Sequence, residues 1–133
     1  MERFELHENG LNLVFEVTDE REIKFLHFSA CPFEESTLDS ADGITGFRLA
    51  EVMVSGLDRP GERHGTKYVR TAPGYRLKYQ DRKDYRNECG RKLEIWMVDE
   101  PTGLSVCSHL QFYDGLAMVR SWTVLENRGV EPL

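Results

Sequence analysis

No apolar run in this chain of 133 residues approaches the roughly 20 residues that a bilayer-spanning helix needs. That excludes a helical membrane anchor within it. Cysteine is scarce and odd in number: Cys31, Cys89 and Cys107 are widely spaced, which fits neither a disulfide framework nor a zinc ribbon. Reduced, structural thiols are expected. No segment sustains a 3.6-residue apolar period, so amphipathic helices are not expected either. Internal repeats, low-complexity tracts and an interdomain linker are missing as well. Met1 is followed by Glu2 and Arg3 and then by alternating residues, with no apolar leader core, so a cytoplasmic location is expected.

What the chain does contain is strand pattern and turn chemistry. Its last third holds three alternating runs. Leu93, Ile95 and Met97 share one face of an extended segment, and Lys92, Glu94, Trp96 and Val98 share the other. A turn at residues 99–103 leads to Leu104–Tyr113, with Leu104, Val106, Ser108, Leu110 and Phe112 opposite Ser105, Cys107, His109, Gln111 and Tyr113. Asp114-Gly115, a strong hairpin signal, leads to a third run from Leu116 to Asn127. A three-stranded antiparallel meander follows. Its last strand runs into the turn-like residues 127–132 with no returning strand to cover its edge, so the chain is expected to be a C-terminally truncated piece of a longer one.

The first half reads the same way. Asn9-Gly10, the preferred centre of a type I′ turn, joins strands at Phe4–His7 and Leu11–Val17. A third strand is expected over Ile23–Ser29, with apolar residues on both faces, as in a strand covered on both sides. Residues 30–46 lose periodicity and form the longest loop. Strands are then expected over Phe47–Ser55, Lys67–Thr71 and Tyr75–Gln80, followed by a charged crossing over residues 81–92. The expected fold class is all-β: one antiparallel sandwich domain, residues 1–133, of about nine or ten strands.

With 40% hydrophobic and 30% charged residues, the chain has the composition of a folded domain. Its charges are unevenly spread. Residues 1–50 carry 11 acidic and 4 basic side chains, and residues 59–92 carry 4 acidic and 11 basic ones. Tyr68, Tyr75, Tyr79 and Tyr85 lie in that basic stretch, a combination that can bind nucleic acid by stacking and phosphate contact. The alternation argues otherwise: Tyr75, Leu77 and Tyr79 point together as core, and Arg76 and Lys78 point away as a solvated face. The net charge of −6 also repels a polyanion. No nucleic-acid or membrane partner is expected.

Candidate chemistry is thin. His7, His27, His64 and His109 have no ligand spacing, so no metal site and no cofactor are expected. Cys107 and His109 share a strand face, but a nucleophilic dyad also needs an orienting group and an oxyanion hole; a structural role is favoured. Glu34, Glu35, Asp39 and Asp42 include enough carboxylates for glycosidic acid/base work, yet any acidic turn-rich loop has the same composition. Trp96 and Trp122 fit either a sugar-stacking platform or packing against a second layer, and packing is favoured.

Several segments in order carry a family resemblance: Gly65-Thr66-Lys67-Tyr68, GYRLKY at 74–79, RNECGRKLEI at 86–95, Thr102-Gly103-Leu104, VRSWT at 119–123 and ENRGVEPL at 126–133. From about Gly46 onward the chain resembles the N-terminal region of glycoside hydrolase family 36, the bacterial-type α-galactosidases. The resemblance implies a β-supersandwich domain preceding a (β/α)₈ barrel, in an enzyme that hydrolyses terminal α-galactosides with retention. It implies that the nucleophile and acid/base aspartates project from the absent barrel, so no catalytic residue is expected here and substrate-binding residues remain unassigned. It further implies a carbohydrate substrate met through the full-length enzyme, a barrel in cis and homo-oligomers in which this region borders a neighbouring active site; loop 30–46, large, acidic and hydroxyl-rich, is the candidate for that contact. A free-standing carbohydrate-binding module and a structural module of another carbohydrate enzyme are the alternatives.

Overall fold

A computed structural model of the chain describes residues 1–38, 46–54 and 72–133. Within them lie two four-stranded antiparallel sheets, each a meander of consecutive strands. The first sheet contains β1 (Glu2–Glu8), β2 (Leu11–Val17), β3 (Ile23–Ser29) and the short β4 (Phe47–Arg48). A helical turn, α1 (Ala72–Arg76), precedes the second sheet of β5 (Lys78–Arg86), β6 (Arg91–Asp99), β7 (Leu104–Phe112) and β8 (Val119–Asn127). The all-β sandwich is as expected, with eight strands among the described residues. The expected strand at Lys67–Thr71 lies outside them, as do residues 39–45 of the long loop.

The core forms where the two inner faces meet. Leu6, Leu13, Phe15, Val17 and Ile23 from the first sheet cluster with Leu93, Ile95, Met97, Leu104, Val106, Leu110 and Phe112 from the second. Phe15 is fully buried, and its ring stacks between Phe4, at 5.0 Å, and Phe25, at 4.7 Å. Asn9 and Gly10 both adopt positive φ, as a type I′ turn requires. The Asn9 amide also donates to the Tyr113 carbonyl, so the tip of one hairpin is fastened to the β7–β8 turn of the other sheet.

Several expectations are corrected. The residues read as a strand from Tyr75 begin inside α1; only Leu77 of the expected core triplet is fully buried, while Tyr75 is 51% exposed beneath the Arg48 guanidinium. Arg76 is not a solvated cation. It forks onto both oxygens of Asp99, each at 2.8 Å, and Asp99 has no exposed surface. Thr102 donates a further 2.6 Å bond to that carboxylate, which ties α1 to the β6–β7 turn.

The charged crossing over residues 81–92 is mostly strand. β5 runs through Arg86, and only residues 87–90 turn. Its inward positions are ionic rather than apolar: Arg82 meets Glu2 at 2.8 Å and lies over the Phe4 ring, while Arg86 forks onto Glu8 and Arg91 forks onto Asp84. The acidic first half and the basic middle of the chain thus neutralise each other where the sheets meet.

β3 is corrected as well. Its apolar residues on both faces reflect a bulge, since Phe15 pairs with Phe25 and Val14 with His27, which leaves Leu26 as the extra residue. Of the expected strand over Phe47–Ser55, Phe47 and Arg48 form the ladder to β3, Leu49, Ala50 and Val52 pack on the core, and Ser55 lies outside the described residues.

Candidate functional site

Four of the residues singled out from the sequence, Trp96, Cys107, His109 and Trp122, lie on one surface, the outer face of the second sheet. Strand alternation and register set them in rows across β6, β7 and β8: Glu94, His109 and Trp122; then Trp96, Cys107 and Val124; then Val98, Ser105 and Glu126. The middle strand contributes small side chains at Ser105 and Cys107, and its neighbours contribute large ones. A groove of about 220 Å³ results, floored by Ser105 and Cys107, with Trp96 and Val124 as walls. Glu94 and His109 line it as well, together with Glu126 and Arg128. This face carries no second layer among the described residues, so the tryptophans do not pack as expected. Trp122 stacks on His109 with ring centroids 4.9 Å apart, and Lys92 and Arg120 each hold a cation over the indole. Among the described residues, Trp96 carries Lys83 alone over its ring, at 5.1 Å.

The electrostatics of the groove are balanced. Glu94 accepts a 2.9 Å bond from the Tyr85 hydroxyl and pairs with Lys92 at 3.2 Å. Burial alone would raise its carboxyl, but these partners hold it below the usual range. Glu126 pairs with Arg128 at 2.8 Å. His109 Nδ1 lies 3.5 Å from Glu94 without a hydrogen bond, and burial keeps the ring's affinity for a proton below the ordinary value despite that carboxylate.

Cys107 and His109 are therefore poor partners for nucleophilic catalysis. They sit roughly 7 Å apart along an extended strand. Burial, assisted by Glu94, pushes the Cys107 thiol up, which is the opposite of what an activated nucleophile needs. Alkylation under native conditions should modify exposed Cys31 and Cys89 well before Cys107, as read by peptide mass mapping. Rapid labelling of Cys107 would contradict that.

The other candidates lie apart. His7 contacts Asn12 and His27 contacts the Cys31 carbonyl on the outer face of the first sheet; His64 is outside the described residues. Glu35 is held by Arg3, which also pairs with Glu16 at 2.9 Å, so the start of the long loop is fastened to β1 and β2. Glu34 is exposed, and Asp39 and Asp42 are outside the described residues. Among those residues no three His, Cys, Asp or Glu side chains group as metal ligands, and no helix is long and apolar enough to cross a membrane. Alternation in the sequence placed Trp96, Cys107 and His109 on one face; the groove itself depends on cross-strand register with β8, which alternation alone does not specify.

No family model and no curated protein sequence matches the chain. Solved structures do. GH36 α-galactosidase AgaB from Geobacillus stearothermophilus matches with a TM-score of 0.61 at 16% identity, over 97% of this chain and 22% of that one. AgaA from the same organism matches with a TM-score of 0.63 at 15% identity, over 98% of this chain and 23% of that one. A variant of AgaA solved in complex with raffinose gives 0.60 at 16% identity, over 96% and 22%. The chain thus spans under a quarter of the length of these enzymes. What it shares with the GH36 α-galactosidases is a fold, the pair of packed antiparallel sheets that makes up that portion of their structure.

Proposed function

We propose that this chain is a non-catalytic N-terminal portion of an α-galactosidase, supporting a catalytic barrel in cis and contributing to subunit assembly. The enzyme as a whole would release terminal α-galactose from galacto-oligosaccharides. One observation carries the reading: nearly all of this chain, 97%, superposes on only 22% of a solved α-galactosidase, as a domain superposes on a whole enzyme. The ordered motif set from Gly65 to Leu133 agrees with it. So does β8, where Leu125 is about half exposed, with Leu116 and Met118 equally exposed ahead of the strand. Apolar side chains so placed along a sheet edge suit contact with further polypeptide.

The test is the intact mass of the natural polypeptide in its source cells, detected with an antibody raised against this chain. A species several times heavier than 15.4 kDa, whose immunoprecipitate releases galactose from raffinose, is the expected outcome. A sole species at 15.4 kDa would overturn the reading.

A further inference from the structure

We propose that the groove on the outer face of the second sheet is a binding site for a single neutral hexopyranose ring, seated against Trp96. This goes beyond the reading of the chain as part of an α-galactosidase and does not depend on it, since the argument uses only the groove's own walls.

The first consideration is size. At about 220 Å³ the groove falls below the roughly 300–1,000 Å³ of sites that enclose drug-sized ligands, so it suits one ring rather than an extended chain. The second is the wall. An indole face carries negative potential, which attracts the slightly positive C–H bonds on one face of a pyranose. Trp96 borders the groove on its β7 side, because Cys107 is its cross-strand neighbour there; Lys83, the cation over its ring, belongs to β5 on the other side. Trp122 does not serve this way, since His109, Lys92 and Arg120 already surround its ring.

Charge decides between a sugar and an ion. Each carboxylate on the groove already has a cation of its own, Lys92 for Glu94 and Arg128 for Glu126, and burial favours the neutral form of His109. A charged ligand would have to displace an ion pair, whereas hydroxyl groups can share the existing donors and acceptors. The Ser105 hydroxyl on the floor has no partner among the described residues and is not sealed off, which leaves it available to a sugar hydroxyl.

The experiment is an NMR titration of the isotope-labelled 133-residue chain with methyl α-galactopyranoside, with sorbitol as the acyclic control. Saturating shifts are expected at the Trp96 indole N–H and at the amides of residues 94–96, 105–109 and 124–126, with a dissociation constant in the millimolar range. Two variants locate the site. Val124→Trp fills the groove at a half-exposed position, and Trp96→Leu removes the stacking wall; each should weaken the response at least tenfold, with the remaining spectrum unchanged. The proposal is overturned by no saturation up to about 100 mM, a binding free energy no more favourable than about −1.4 kcal/mol. An equal response to sorbitol, or shifts that persist in whichever variant folds, would also overturn it. If a longer natural polypeptide containing this chain fails to respond while the 133-residue chain responds, the groove is an intramolecular contact and the proposal fails. A natural chain of 15.4 kDa that binds the sugar would instead sink the α-galactosidase reading and leave the groove standing.

Discussion

Replacing Arg76 by Met is expected to lower the unfolding free energy by about 3 kcal/mol at neutral pH and to reverse how stability responds to acid. In the native chain the Asp99 carboxylate has no exposed surface and accepts two bonds from Arg76 and one from Thr102. Burial alone would raise its proton affinity, but Arg76 and Thr102 outweigh burial and hold it below the ordinary carboxylate range. A depressed folded-state value stabilises the fold above the unfolded value of about 3.9, and that contribution is lost as pH falls through the folded one. Arg76→Met removes the cation and leaves the carboxylate buried, so burial now sets the direction and the folded-state value rises above the unfolded one. The variant's deficit is then largest at neutral pH and shrinks on acidification as Asp99 takes up a proton. Urea unfolding from about pH 3 to pH 8 reads both effects. Parallel stability curves for the two proteins would refute the assignment of Asp99 as the buried end of this clamp.

Phe15→Ala should cost about 4 kcal/mol. The ring is completely buried and stacked on both sides, by Phe4 at an interplanar angle of 14° and by Phe25 at 7°. Truncation removes the transfer energy of the ring and leaves a cavity that two flat neighbours cannot close without leaving their own positions. Against a typical domain stability of about 5–15 kcal/mol, that loss is a large share of the whole. Phe47→Ala is the matched control, because Phe47 is 81% exposed on β4; its cost should stay within about 0.5 kcal/mol. Denaturant midpoints for the two variants decide the matter, and similar losses at both positions would contradict this account of the core.

Sequence reasoning succeeded where each residue's local signal agreed with its tertiary setting. Asn9-Gly10 forms the turn its chemistry demands, and Leu93, Ile95 and Met97 bury the face their alternation marks. It failed at β5 because it looked for apolar alternation. Its inward positions Arg82 and Arg86 have their partners Glu2 and Glu8 some eighty residues away, and a pairing at that distance leaves no trace in a local window. Tyr75, Leu77 and Tyr79 misled for the opposite reason. Three residues at spacing two fit a strand, yet the first of them sits in a single helical turn of five residues, too short for any periodicity to register. Apolar residues on both faces of β3 were visible, but a bulge produces that pattern as readily as burial on both sides. Trp96 was correctly placed on the face opposite the core. That the face bears a groove depends on register between β7 and β8, a property of paired strands rather than of either one.

The meander topology also bears on how quickly the chain reaches this structure. Among the described residues every ladder joins strands that are neighbours in sequence, so apart from the long loop 30–46 before β4, forming either sheet closes short loops and carries little chain-entropy cost. The contacts that span the sequence are those between the sheets, such as Arg86 to Glu8 and the Asn9 amide to the Tyr113 carbonyl. Each sheet is therefore a natural unit of assembly, and the entropic barrier is concentrated in the docking of two preformed halves. An all-β protein arranged in this way should fold faster than its strand content suggests, with the ionic seam among the last features to close.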